Sequence, residues 1–380
     1  MINNQFAHLT PPMGWNSWNT FYDKYDAGLL CNIADCMVET GLRDAGYKYL
    51  IIDDCWSCRS RDSRGNLVPN PEKFPEGLRP VADHIHDRGL KFGIYSCCGN
   101  YTCAGYPASF EYEFIDAETF AEWGVDYLKY DYCYKPQSEN GAKLYRRMGL
   151  ALANCGRDIV FSACSWGADE THRWIKSTGA DLWRSTGDIF DSFESVKAIY
   201  NQQKNVYEYN GHGCFNDMDM LIVGMFNKGH VKQAGCTVEE YRTHFSIWAF
   251  FGSPLMIGSD LRTQTEETKA ILQNKAVIAI NQDVAYREPY LLMSAGENAD
   301  VWVRHMENGD IVFGIFNMSD ENRGFPISFT DIGLNRSTGV KLRLYDVWEM
   351  KSLGEHKDIF VTGLAPHSAK LIRARLIRDN

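Results

Sequence analysis

The 380-residue sequence contains no run of 18 apolar residues, so no segment reads as a membrane-spanning helix. It has no excess of positive charge. Lys and Arg number 39 against 49 Asp and Glu, a formal net charge of -10, which argues against a nucleic-acid backbone or an anionic lipid surface as partner. The N-terminal MINNQFAHLTPPMGWNSW lacks a basic start followed by an apolar core, so no signal peptide is visible. A cytoplasmic location is expected, with a secreted form left open. No internal repeat or low-complexity segment interrupts the chain. Cysteine is absent after Cys236, and the twelve of the chain are expected to be mostly reduced thiols in a cytosolic protein. Cys55 and Cys58 form a CxxC, but no second CxxC or His pair lies near enough in sequence for a zinc site.

Up to about residue 288 the sequence repeats one pattern, a short apolar segment followed by a longer helical stretch. The segments are Met13 to Trp18, Tyr47 to Asp54, Leu90 to Ser96, Val125 to Asp131, Ile159 to Trp166, Asp181 to Asp188, Phe215 to Leu221 and Ser253 to Asp260. Alternating strands and helices imply parallel pairing, and eight units imply a closed (β/α)8 barrel, an α/β fold, over residues 1–288. Leu29 to Ala45 reads as one helix capped by Gly46. From 289 to 380 the texture changes to short alternating runs punctuated by glycine, such as Asp300 to His305 and Val340 to Asp346. This reads as a C-terminal antiparallel β-sandwich domain.

Polar residues collect where the barrel strands end. VDYLKYD is rich in β-branched and aromatic residues, yet places Lys129 and Asp131 two apart, on one face of a buried strand. Asp53 and Asp54 end the second strand. Arg184 and Asp188 lie in LWRSTGD, and Asn216, Asp217, Asp219 and Met220 in FNDMDM. The ends of barrel strands are where chemistry sits. Two carboxyl groups flanking a glycosidic bond hydrolyse it; in the retaining version one is an ionised nucleophile and the other carries a proton. Lys129 is placed to favour the charge on Asp131. The competing chemistry is a hard cation held by Asp53, Asp54, Asp131 and Asp217. Such barrels use His ligands at strand ends, and here His84, His86, His172, His212, His230 and His244 fall mostly in helices and loops.

PPMGWNSWNTF, YLIIDDCW, GLKFGIYS, WGVDYLKYDYC, LWRSTGD, FNDMDML, SPLMIGSDLR and VIAINQD, in this order from Pro11 to Asp283, resemble the α-galactosidase and α-N-acetylgalactosaminidase family, glycoside hydrolase family 27. The resemblance implies a retaining enzyme without metal or cofactor, built as a (β/α)8 barrel plus a C-terminal β-sandwich. By motif, Asp131 resembles the nucleophile and Asp188 the general acid/base. Asp53 and Asp54 would bind the 4- and 6-hydroxyls of a galactose-type ring, Lys129 the 3- and 4-hydroxyls, and Arg184 the 2-position. Trp18 would wall the pocket, Cys164 and Trp166 line it, and Met220 close its floor, with Asp217 among the binding residues. Cys103 and Cys133 resemble a disulfide beside the nucleophile. A second disulfide of many secreted members would join Cys55 to the loop after GWNSWN; this loop reads TFYDKYD, with Asp23 near the expected place, leaving Cys31 or Cys36 as candidate partners. The resemblance implies a galactose-containing oligosaccharide or glycoconjugate as substrate, and a homo-oligomer is compatible with it. Ser165 and Ala168, expected to face the 2-position, resemble the N-acetylgalactosaminidases, while ADETHRW resembles plant and yeast α-galactosidases. α-Galactosidase is the expected activity, with α-N-acetylgalactosaminidase and then β-L-arabinopyranosidase as alternatives.

Overall fold

The computed structural model describes residues 9–334 and 336–378. Eight parallel strands form the first sheet: β1 (Met13–Asn16), β2 (Tyr49–Ile51), β3 (Lys91–Cys97), β4 (Tyr127–Asp131), β5 (Val160–Cys164), β6 (Leu182–Arg184), β7 (Phe215–Asp217) and β8 (Leu255–Ile257). They are hydrogen-bonded in the order β8-β1-β2-β3-β4-β5-β6-β7. The ring closes just beyond β7, where Leu221 bridges Ile257: the Leu221 amide donates to Met256 O at 2.6 Å and the Gly258 amide to Leu221 O at 2.9 Å. Every expected strand is present. Most are shorter than the sequence pattern implies, because the ladder stops where the chain turns into a loop.

Side chains two apart share a strand face, and that alternation builds the barrel interior in layers. Tyr49, Ile51, Tyr127, Val160, Leu182, Phe215 and Met256 form one apolar cluster inside the ring. The interior is so crowded that a Cβ on Gly14 would lie 2.3 Å from Tyr49 O, and one on Gly93 2.6 Å from Ile51 Cγ1. One pleat further along the same faces the residues turn polar: Asp53 beyond β2, Tyr95 on β3, Lys129 and Asp131 on β4, Ser162 on β5, Arg184 on β6 and Asp217 on β7.

The outward faces pack on helices, among them α1 (Ala27–Glu39), α2 (Arg79–Asp87), α3 (Glu113–Glu122), α4 (Gly141–Asn154), α5 (Phe193–Gln203) and α6 (Val238–Phe251). The stretch expected as one helix from Leu29 to Ala45 is two. α1 ends at Glu39, Gly41 turns left-handed at φ 83°, and one further turn, Leu42–Ala45, follows before Gly46 at φ 117°.

The C-terminal region has a six-stranded antiparallel sheet and a two-stranded sheet. The large sheet runs in the order Tyr290–Ser294, Ala299–His305, Ile311–Asn317, Ser368–Arg378, Val340–Asp346, Lys351–His356; the small one pairs Arg323–Ser328 with Ile359–Leu364. Val301, Val303, Phe313, Ile315, Phe325 and Ile327 belong to the core between the sheets. The opposite face of the large sheet carries Trp302, Val312, Phe316 and Leu371 into the barrel's outer core. Helix α6 is caught between, which is why it is buried on all sides from Thr243 to Phe251. A Thr237–Glu240 capping box starts it. At its far end the buried Arg304 donates to Phe250 O at 2.9 Å and lies over the Tyr286 ring, satisfying a carbonyl that the helix leaves open.

Candidate active site

The polar layer opens into a pocket of about 410 Å³ at the C-terminal ends of the strands. Nine of the expected residues line it: Trp18, Asp53, Cys103, Lys129, Asp131, Trp166, Arg184, Asp188 and Met220. Asn19, Tyr95 and Asp219 line it as well and were not singled out as binding residues from sequence.

Asp131 ends β4 and is buried. Its Oδ1 accepts from the Tyr132 amide at 2.8 Å and its Oδ2 from the Tyr95 hydroxyl at 3.0 Å. Burial pushes its carboxyl up to about 6. Lys129 and the Tyr132 amide pull the other way, while Asp188 and Asp53 add to the rise. Lys129 does favour the charge on Asp131, as expected, but does not prevail over burial. Its ammonium pairs instead with Asp53 Oδ2 at 2.8 Å, an oxygen that also accepts from Asn16 Nδ2 at 2.7 Å. Tyr95 was legible in principle: it lies two residues from Gly93 and from Cys97, on the inward face of β3.

Arg184 is buried and held from several sides. It donates to Asp219 Oδ1 at 2.8 Å, Asp188 Oδ1 at 2.9 Å and Thr186 O at 3.2 Å. The Asp188 side chain is 58% exposed at the pocket mouth. Burial against the loop would raise its carboxyl, but Arg184 and then Lys129 outweigh that and hold it below the ordinary carboxylate value. The proton preference is therefore the reverse of the expected one: Asp131 takes a proton before Asp188 does. The physical reason is placement, since the nucleophile candidate is sunk in the barrel and the acid candidate is solvated beside a guanidinium.

Six expected residues do not line the pocket. Asp54 lies behind it, with Oδ1 accepting from the Cys55 amide at 2.7 Å and Oδ2 from the Ala104 amide at 2.8 Å. Cys133 forms the expected disulfide with Cys103, and only Cys103 meets the pocket. Cys164 is buried under Arg184, with Sγ 3.7 Å from Nη1. Ser165 is fully buried and faces away: its hydroxyl bonds Thr171 Oγ1 at 2.6 Å. It follows the inward Cys164 by one residue, so strand alternation turns it outward. Asp217 accepts from the Asp219 amide at 2.9 Å, within the barrel. Asp219 reaches the mouth because its own backbone turns left-handed, φ 79°. Ala168 does not line the pocket either.

The four acids of the metal alternative do not converge. Asp53, Asp54, Asp131 and Asp217 are each held by different protein donors, named above. Cys55 is a free thiol, as are Cys31 and Cys36. The two segments that the second disulfide would join are instead bridged by Lys73, whose ammonium donates to Asp23 O at 2.6 Å and Cys55 O at 2.9 Å.

Two carboxylates at one pocket, with tryptophan walls, is the equipment that glycosidic cleavage requires, and the barrel presents it at the end where such folds do their chemistry. The class is thus a glycoside hydrolase. Residues 10–283 match the family described as alpha galactosidase A, and residues 296–374 match the alpha galactosidase C-terminal beta sandwich domain. The chain belongs to this family, glycoside hydrolase family 27. It is 42% identical over 341 residues to an α-galactosidase of Cyamopsis tetragonoloba, covering 90% of this chain and 80% of that one. It is 39% identical over 361 residues to α-galactosidase A of Homo sapiens, covering 89% and 80%. The crystal structure of α-galactosidase I from Mortierella vinacea superposes with a TM-score of 0.90 at 35% identity, covering 98% of each chain.

Proposed function

We propose that this enzyme releases terminal α-D-galactose from oligosaccharides or glycoconjugates, with retention of configuration. The observation that carries the reading is the placement of Asp131 and Asp188 in one pocket that also presents Asp53 and Lys129 to a ring's hydroxyls. Similarity to enzymes named α-galactosidase supports the sugar. Asp131 attacks the anomeric carbon as the glycosidic bond breaks; the leaving oxygen takes the bond's electrons and the proton of Asp188. Water then attacks the same carbon, gives a proton to Asp188 and frees the Asp131 carboxylate. The productive complex needs the shared proton on Asp188. A bound ring supplies that shift by displacing water from the mouth, which removes solvation from Asp188, while the positive charge developing at the anomeric carbon stabilises ionised Asp131. Asp54 would act behind Asp53, as its support. Arg184, held by Asp219, Asp188 and Thr186, would face the 2-position.

The test compares release from the p-nitrophenyl glycosides of α-galactose, α-N-acetylgalactosamine and β-L-arabinopyranose, with NMR of the first-formed anomer. Preference for the galactoside and initial α-galactose are expected. Preference for either other glycoside overturns the sugar, and initial β-galactose overturns the two-step route. Activity should survive a chelator.

A further inference from the structure

The loop after β5 departs from ordinary backbone within five positions. Trp166, Asp169 and Glu170 all take left-handed φ, 58°, 53° and 52°. Side chains other than glycine hold that conformation only where their surroundings impose it, and such residues gather at functional sites. Two contacts impose it at Asp169. Its Oδ2 accepts from the Tyr132 hydroxyl at 2.6 Å, and its carbonyl accepts from Trp174 Nε1 at 2.8 Å. Tyr132 directly follows Asp131 and is itself buried. Its amide holds Asp131 Oδ1, and its ring meets that of Trp166 edge-on at 6.2 Å. The place of its hydroxyl is set from the other side by Gly141, where a Cβ would come within 2.1 Å of the oxygen.

We propose that Asp169 is a positioning residue: it anchors Tyr132, and through Tyr132 it fixes both the Asp131 carboxylate and the Trp166 wall of the sugar pocket. It does not line the pocket, so it acts through its neighbours. The proposal rests on the reading of Asp131 as the nucleophile. The groups facing Asp131 are Lys129 on its own strand, Asp53 beyond β2, Tyr95 and Cys97 on β3, Tyr145 on α4, Cys164 on β5 and Asp188 after β6. None of them touches Asp169 by any hydrogen bond or ion pair found among the described residues, so a change at Asp169 reaches Asp131 by way of Tyr132.

The experiment measures kcat, KM and the pH profile of kcat/KM on the p-nitrophenyl glycoside that the wild type cleaves best, together with a ¹³C-carboxyl NMR titration of Asp131, which needs no substrate. Asp169→Ala and Tyr132→Phe are each expected to lower kcat roughly 10- to 100-fold, as for a displaced reacting group. Both should raise the apparent pKa of Asp131 by about half a unit through a loosened amide bond. The double variant should be no worse than either single one. Asp169→Asn keeps an acceptor and should retain most activity. Gly141→Ala, which displaces the hydroxyl from the opposite side, should reproduce the Asp169→Ala profile. An unmoved Asp131 titration in Asp169→Ala, or a rate loss that only tracks the folded fraction, overturns the proposal. A wild type inactive on every glycoside, with the titration shift present, overturns the functional reading and leaves the anchoring role standing.

Discussion

The barrel mouth and the C-terminal sandwich use the same two-residue alternation to opposite ends. In the sandwich, inward positions such as Val301, Val303, Phe313 and Ile315 are filled with hydrocarbon, and its buried acids stand near strand ends. Asp310, for example, meets Arg373 and Arg375 at the start of a strand. In the barrel the inward positions run from hydrocarbon into Lys129, Asp131, Arg184 and Asp217 along single strands. Charges gathered in a low-dielectric interior are weak contributors to stability at best. One region is thus arranged for stability and the other for reactivity, and α6 joins them.

The sharpest test of that contrast is Asp131→Asn. Turnover should fall by about 10⁴-fold or more, about 5.5 kcal/mol of transition-state stabilisation; kinetics on an activated galactoside measures it, and a loss under tenfold would break the assignment. Next in size is Phe313→Ala, in the sandwich core. It should lower stability by roughly 3–5 kcal/mol in denaturant melts while leaving kcat per folded molecule unchanged.

The third test returns to Asp131. Its carboxyl titrates near 6 when folded and near 3.9 unfolded, so between those values the folded state binds more protons and stability falls as pH rises. The loss is complete above about pH 6 and amounts to roughly 2–3 kcal/mol. Asp131→Asn should therefore melt higher than wild type at pH 7, and the gap should close by about pH 4; a gap that does not change with pH refutes the burial effect. The alkaline limb of wild-type kcat/KM should fall near the folded value of about 6, because the form in which the two carboxyl groups share one proton is lost above it. The smallest effect is expected for Lys73→Met, which removes the bridge between Asp23 O and Cys55 O. About 1 kcal/mol should be lost, with little change in kcat.

Much of this contrast was legible from residue spacing. Eight strands could be counted because each apolar run is bounded by turn residues, and Asp131 stood out because Lys129 shares its face. Ser165 was misplaced although the same rule, applied from Cys164, turns it away from the pocket. The choice of Asp217 over Asp219 was not open to that rule, since both fall on one face; the left-handed turn at Asp219 separates them, and no pattern in FNDMDM announces it. Three strands went unread for different reasons: Tyr290–Ser294 is mostly half-exposed and Lys351–His356 mostly exposed, so neither shows a buried apolar face, while Arg323–Ser328 alternates but carries Pro326, which argues against a strand. The protonation order was hidden for a different reason. It depends on Asp188 meeting Arg184 in solvent while Asp131 does not, a matter of depth rather than of residue type.

The ring closure carries a consequence for how the molecule is made. Met13 pairs with Leu255, so β1 waits for a partner encoded 242 positions later (255 minus 13). At roughly 5–20 residues per second of synthesis, that leaves one edge of the growing sheet open for about 12–50 s. Contacts of such long sequence separation are also the slow ones to form. The edge at risk is only the four residues Met13–Asn16, too short to template an extended ladder with another nascent chain.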